Sequence, residues 1–84
     1  MNTKAKTIEE QWLVDRLIQD LPSTEQIDSL EVRFEKNNLS DFAIYVVLSL
    51  GNNFNFELRD SYRRKIRRIV TSAHPAADIF IRFV

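Results

Sequence analysis

The segment Phe42–Leu50, with the sequence FAIYVVLSL, constrains the fold of this chain more than any other. Its β-branched, aromatic and aliphatic residues predict the central strand of a small sheet. Successive side chains of a strand point to opposite faces. One face carries Phe42, Ile44, Val46, Leu48 and Leu50, and the other carries Ala43, Tyr45, Val47 and Ser49. Because both faces are largely apolar, the sheet needs cover on both sides.

The segment before this strand predicts a helix and a second strand. Apolar residues recur at helical spacing from about 8 to 21, with Leu13, Leu17 and Ile18 on one face, and Thr7 and Glu10 form a candidate capping box. Residues 30–36 alternate between apolar and charged side chains, which is typical of a strand with one solvated face. Turn-forming residues at 37–38 and 40–41 then favour a hairpin into the central strand.

The segment after the central strand predicts a second helix and a last strand. The helix extends from about 56 to 73, with Asn55 or Asn53 as N-cap, and His74-Pro75 ends it. Residues 78–84 form the last strand. A strand–helix–strand crossover is right-handed almost without exception, so the last strand should run parallel to the central one, with the first strand antiparallel to it.

These elements predict an α+β fold of αββαβ order, with two helices on one face of a three-stranded mixed sheet, in a ferredoxin-like or metallochaperone-like arrangement. A chain of 84 residues is predicted to form a single domain over 1–84, with residues 1–7 frayed.

Composition excludes several kinds of chemistry. The chain has no Cys, one His and one Gly, so it offers no thiolate metal site, no histidine cluster and no glycine-rich phosphate loop. His74, at a helix end, is interpreted as a structural residue. We therefore predict no cofactor, no metal site and no enzymatic activity. The sequence has no long apolar run and no leader pattern, which predicts a cytoplasmic protein without a membrane span.

The second helix carries the only strong charge cluster. Net charge is zero, yet this helix holds a group of basic residues: Arg59, Arg63, Arg64, Lys65, Arg67 and Arg68. One interpretation is a solvated face neutralised by the acidic surface of the chain or of a second subunit. The alternative is contact with nucleic acid or another anion, although neither interleaved exposed aromatic residues nor a recognised binding motif accompanies the cluster.

Ile8 and Trp12 lie on the opposite side of the first helix from its main apolar stripe. They are either an edge covered by neighbouring loops or a contact surface for a partner.

The stretch from Ile69 to Arg82, IVTSAHPAADIFIR, and the Asn55-Phe56 helix start after a Gly-Asn-Asn loop resemble the cytoplasmic C-terminal domain of cation diffusion facilitator transporters. The resemblance implies a similar shape and a habit of dimerising. The metal ligands of that family would fall near Val46 or Val47, Asp60, Arg82 and Val84, where only Asp60 can ligate. The resemblance therefore implies neither transport nor metal sensing.

The sheet face away from the helices is predicted to form a homodimer interface. Ala43, Tyr45 and Val47 lie on this face without intramolecular cover, joined by either Phe80 or Ile79 and Ile81 according to the register of the last strand. Burying on the order of 600 Å² per subunit would offset the weakness of a small core. We thus expect a non-enzymatic homodimeric interaction or regulatory module; the alternative is a small nucleic-acid-binding protein that uses the basic helix.

Overall fold

The computed structural model describes residues 1–36 and 42–84. Its elements follow in the order β1 (Asn2–Lys4), α1 (Ile8–Asp20), β2 (Ser29–Lys36), β3 (Phe42–Ser49), α2 (Phe56–Ala73) and β4 (Asp78–Phe83). Short 3-10 helical turns lie at Thr24–Gln26 and Gly51–Asn53. The hairpin turn predicted at Asn37-Asn38 and Ser40-Asp41 lies outside the described residues.

Helix α1 begins at its predicted cap. The Thr7 hydroxyl accepts a hydrogen bond from the Glu10 N–H (3.1 Å), and the Glu10 carboxylate accepts one from the Thr7 N–H (3.0 Å), so the capping box is confirmed. The inner stripe of α1 buries Leu13 and Leu17 completely, whereas Ile18 remains 36% exposed. Placing Ile18 on the buried stripe is wrong, because it lies 100° beyond Leu17 and turns away from the sheet.

The sheet has four strands in the order β1-β2-β3-β4. Strand β2 is antiparallel to β3 and β3 is parallel to β4, as predicted. The prediction of three strands is wrong, because β1 pairs in parallel with β2. Strand β1 belongs to the segment predicted to be frayed, and the Asn2 N–H donates to the Asp28 carbonyl at 3.0 Å. In each strand–helix–strand unit the two strands pair directly, β1 with β2 and β3 with β4. A ferredoxin-like arrangement is unconfirmed.

Helix α2 returns the chain from the end of β3 to the start of β4. The Asn55 side chain caps it by accepting a hydrogen bond from the Leu58 N–H at 2.7 Å, which confirms the first of the two predicted caps. Its buried stripe consists of Tyr62, Ile66 and Val70. Because α2 connects the parallel strands β3 and β4, it lies across one face of the sheet, and its buried stripe covers this face beside α1.

The hydrophobic core lies between the two helices and one face of the sheet. Its fully buried members come from both layers: Leu13, Val14, Leu17, Val32, Ile44, Val46, Leu48, Ile66 and Val70. The fold is therefore a two-layer α+β structure with both helices on the same face. Within the described ranges, neither helix is long and apolar enough to cross a bilayer.

Candidate functional site

The sheet face that points away from the helices, called the open face below, is the candidate site. The strand register arranges its side chains in three rows across β2, β3 and β4. The rows are Glu35, Ala43 and Asp78; Arg33, Tyr45 and Phe80; and Glu31, Val47 and Arg82. Phe80 is therefore the residue of β4 that lies beside Tyr45, while Ile79 and Ile81 pack towards the core.

Two aromatic rings form the apolar centre of the open face. Tyr45 and Phe80 stack with ring centroids 5.0 Å apart and ring planes inclined by 18°. Phe80 is 49% exposed, whereas Tyr45 and Val47 are half-buried. Offset stacking of this kind adds about 0.5–1.5 kcal/mol beyond area burial. The pair is thus held by its own chain and still presents an apolar surface to solvent.

Arg33 covers the other side of Tyr45. Its guanidinium carbon lies 5.1 Å from the Tyr45 ring centroid, and its Nη1 lies 3.3 Å from a carboxylate oxygen of Glu35. Its Nε is 4.0 Å from Glu31, which also faces Lys4 at 3.9 Å. A charged network therefore occupies the β1–β2 half of the open face. Arg33 was not predicted as a site residue. The alternation along β2 shows on which face Arg33 lies, but not that Tyr45 lies opposite it on β3.

The prediction that Ala43, Tyr45 and Val47 lack intramolecular cover is wrong in part. Ala43 is only 7% exposed. The register places it between Glu35 and Asp78 on the neighbouring strands. The apolar contact area of the open face is therefore centred on Phe80, with Tyr45 and Val47 beside it.

Ile8 and Trp12 form a separate patch. Ile8 is 87% exposed and Trp12 is 49% exposed, so the described neighbouring elements do not cover them. One edge of Trp12 meets the His74 ring, with ring centroids 6.5 Å apart. The structure does not bring this patch together with the open face, because α1 lies on the opposite side of the sheet.

The basic residues of α2 fall into two groups. Arg59 contacts Asp60 at 3.3 Å, and Arg63 lies 5.3 Å from the Phe83 ring centroid while its Nη1 reaches the Ile81 carbonyl at 3.4 Å. Among the described residues, the other four have no carboxylate within 4 Å; they are Arg64, Lys65, Arg67 and Arg68. The first interpretation requires acidic residues of this chain or of a second subunit to neutralise the cluster. Within the described ranges of this chain, only Arg59 has such a partner.

Exposed aromatic residues adjoin the start of α2. Phe54 is 46% exposed and Phe56 is 67% exposed, and their rings meet edge to face with centroids 5.6 Å apart. The guanidinium carbon of Arg59 lies 4.9 Å from the Phe56 ring centroid. The sequence shows both phenylalanines, but only the exposed turn at Gly51–Asn53 places them outside the core.

His74 ends α2 inside an aromatic cluster. Its ring meets Phe34 and Phe42 edge to face, with centroid distances of 5.2 and 5.7 Å. No group of three or more His, Asp or Glu side chains within 1–36 and 42–84 is placed to hold a metal ion. The His74 ring thus packs against aromatic rings at the end of α2.

Comparisons of the chain with protein-family models, with curated proteins and with solved structures found no match. They therefore neither support nor oppose the resemblance to a transporter domain.

Proposed function

We propose that this chain is a non-enzymatic interaction or regulatory module that forms a homodimer through the open face. The observation that carries the proposal is the Tyr45–Phe80 stack, an aromatic centre with Phe80 49% exposed and with charged residues around it. An aromatic centre inside a polar rim is the usual anatomy of a protein interface. The resemblance to the transporter domain, with its implied ferredoxin-like shape and dimerisation, and a cytoplasmic location belong to the same proposal.

The three rows of the open face favour one relative orientation of the two copies. Sheets that pack face to face keep their strands roughly aligned. A two-fold axis parallel to β3 lays β2 of one copy over β4 of the other. Glu31 then faces Arg82 of the second copy, and Arg33 faces the second Phe80. Both contacts are attractive, through opposite charges and through a cation–π contact respectively.

The other aligned orientation is less favourable. An axis perpendicular to the strands lays β2 over β2 and β4 over β4, so that Glu31 faces Glu35 of the second copy, Asp78 faces Arg82, and Arg33 faces Arg33. Like charges placed across an interface disfavour association. With the axis parallel to β3, Arg33 does not face its own copy, and the like-charge contact between Glu35 and Asp78, formed twice by the symmetry, lies at the end of the strands, where solvent screens it.

Sedimentation velocity tests the dimer. An interface of about 1,200 Å² in total is at the lower end of the range for specific complexes, so we expect a reversible dimer. At about 100 μM, well above a micromolar dissociation constant, the wild type should sediment as a dimer and Val47→Lys as a folded monomer. A wild type that is a folded monomer at this concentration would refute the proposed interface.

Charge substitutions test the relative orientation of the two copies, which is a separate question from whether a dimer forms. With the axis parallel to β3, Glu31→Lys opposes Arg82 of the second copy and weakens the dimer, whereas Glu35→Lys meets Asp78 and strengthens it. Glu31→Arg combined with Arg82→Glu should restore the dimer that either change weakens. With the perpendicular axis, Glu31→Lys and Glu35→Lys would act alike. The two lysine substitutions are matched controls, because they make the same change on the same strand and face.

The second candidate is nucleic-acid binding by α2. It is favoured by the exposed Phe54 and Phe56 beside Arg59, because a stacking platform next to cations is typical of proteins that bind single strands. Binding of a mixed-sequence single strand should then weaken steeply with salt, and Phe56→Ala should reduce it. Affinity that is absent at low salt, or unchanged by Phe56→Ala, would remove this candidate.

A further inference from the structure

The two edges of the sheet differ in how their main-chain groups are covered. At one edge the three-residue strand β1 pairs with residues 29–31 of β2, and beyond β1 the Glu10 carboxylate accepts a hydrogen bond from the Phe34 N–H of β2 at 2.7 Å. At the β4 edge, the contact described for the outward main-chain groups comes from Arg63, whose Nη1 lies 3.4 Å from the Ile81 carbonyl. An uncovered edge strand is a template for pairing with another extended chain.

The register identifies the main-chain groups that this edge presents. The Val84 N–H donates to the Leu48 carbonyl at 3.0 Å, so the N–H and carbonyl groups at even-numbered positions of β4 point towards β3. Main-chain groups alternate sides along a strand. The N–H and carbonyl groups of Ile79, Ile81 and Phe83 therefore point outwards. An added strand could bind three N–H donors and three carbonyl acceptors, of which the Ile81 carbonyl already contacts Arg63.

Helix α2 lines this edge with positive charge. Arg63 lies against Phe83, and Arg59 and Arg67 occupy the same row one helical turn to either side of it. Within the described ranges Arg67 is exposed and has no carboxylate within 4 Å. A second copy of β4 paired here would bring two such rows together, and their repulsion disfavours self-pairing. An acidic strand has the complementary charge.

We propose that the outer edge of β4 binds an extended acidic segment of another protein by strand addition. In this arrangement main-chain hydrogen bonds to Ile79, Ile81 and Phe83 supply affinity, and alternate side chains supply specificity. The acidic side chains of the segment face the arginine row, and its apolar side chains lie beside Phe80 on the other face of the sheet. The proposal does not require the open-face dimer, because its main-chain hydrogen bonds use an edge of the sheet rather than a face.

The test is fluorescence anisotropy with a labelled peptide of alternating Glu and Val. Two control peptides accompany it: one of alternating Lys and Val, and one Glu–Val peptide with methylated main-chain nitrogens at every second residue. Arg67→Glu should weaken binding of the Glu–Val peptide about tenfold, since it replaces an attraction with a repulsion. The matched control Arg64→Glu makes the same charge change on the other flank of α2 and should change affinity less than about threefold.

Amide hydrogen exchange provides a second readout on the unmodified protein. The Ile79, Ile81 and Phe83 amides should exchange rapidly in the free protein and become protected when the peptide binds, whereas those of Phe80 and Arg82 are protected throughout. Four outcomes would overturn the proposal. They are no binding of the Glu–Val peptide, equal binding of either control peptide, equal effects of Arg67→Glu and Arg64→Glu, or protection of the outward amides by self-association without peptide.

Discussion

Removal of the Glu10 carboxylate is predicted to destabilise the fold at two places at once. Glu10 is 5% exposed, and one of its oxygens accepts hydrogen bonds from the Lys6 and Thr7 N–H groups at 2.8 and 3.0 Å. Its other oxygen accepts one from the Phe34 N–H at 2.7 Å. Strand β1 ends its pairing at Glu31, so this carboxylate binds an edge donor that β1 does not reach. It thus joins the start of α1 to the sheet.

The expected loss for Glu10→Ala follows from these bonds. Loss of the helix cap costs about 1 kcal/mol, and leaving the Phe34 N–H unpaired costs a further 1–3 kcal/mol or so. The free energy of unfolding should fall by about 2–4 kcal/mol, which lowers Tm by roughly 10–30 °C in a domain of this size. The matched control is Glu9→Ala, in the same first turn but exposed, which should cost less than about 1 kcal/mol through the helix dipole.

The pH dependence gives an independent check. Burial tends to raise the pKa of Glu10, but the hydrogen bonds from Phe34, Lys6 and Thr7 outweigh it and hold the pKa below its ordinary value of 4.5. Since the folded pKa is the lower one, the stabilisation is fully present above about pH 4.5 and is lost as pH falls through the folded value. The stability difference between wild type and Glu10→Gln should therefore narrow below about pH 4.5. Urea unfolding followed by circular dichroism measures it. A Glu10→Ala loss no larger than that of Glu9→Ala would refute the reasoning.

Two further predictions concern the loop between α1 and β2. The Tyr62 hydroxyl lies 2.9 Å from the Pro22 carbonyl and 2.8 Å from the Ser23 carbonyl, so Tyr62→Phe should reduce the free energy of unfolding by about 1 kcal/mol, measured by urea titration. Burial, with a smaller contribution from the charge of Glu25, raises the pKa of Tyr62. The stability that Tyr62 supplies is therefore present below about pH 10 and lost above it; a Phe variant equally sensitive to alkaline pH would contradict this. Ser23 has φ of 54°, in the left-handed region, so Ser23→Gly should raise Tm slightly, while Ser23→Val should lower it; the reverse order in a thermal melt would exclude backbone strain there.

Local patterns predicted most elements of the fold. The alternation along residues 30–36 and 42–50 gave the two central strands, and the side-chain caps at Thr7 and Asn55 gave the helix starts. These signals depend on residues that are close together along the chain, so they can be recognised in a single sequence. The antiparallel pairing followed from the hairpin, and the parallel pairing followed from the helical connection between β3 and β4.

The features that were missed depend on contacts between distant segments. Strand β1 is polar and short, and its pairing with β2 uses main-chain groups, which leave no side-chain pattern. Arg33 covers Tyr45 only because the register places them opposite each other. The bond from Phe34 to Glu10 joins residues 24 positions apart. Tertiary geometry, rather than periodicity, also leaves Ile18 exposed and shields Ala43.

The two proposed contacts can form on the same molecule. A two-fold axis parallel to β3 stacks the open faces, leaves the main-chain groups at the outer edge of β4 pointing sideways, and places β1 of the second copy over the position of an added strand. The resulting dimer would present two such edges, each beside its own arginine row on α2. An acidic partner with two strand-forming segments could then bind both edges, and linkage of the two events would raise its apparent affinity without a new contact. On this arrangement the main-chain groups of each β4 edge remain available in the dimer, and Val47→Lys should weaken the binding of a bivalent partner far more than that of a single strand.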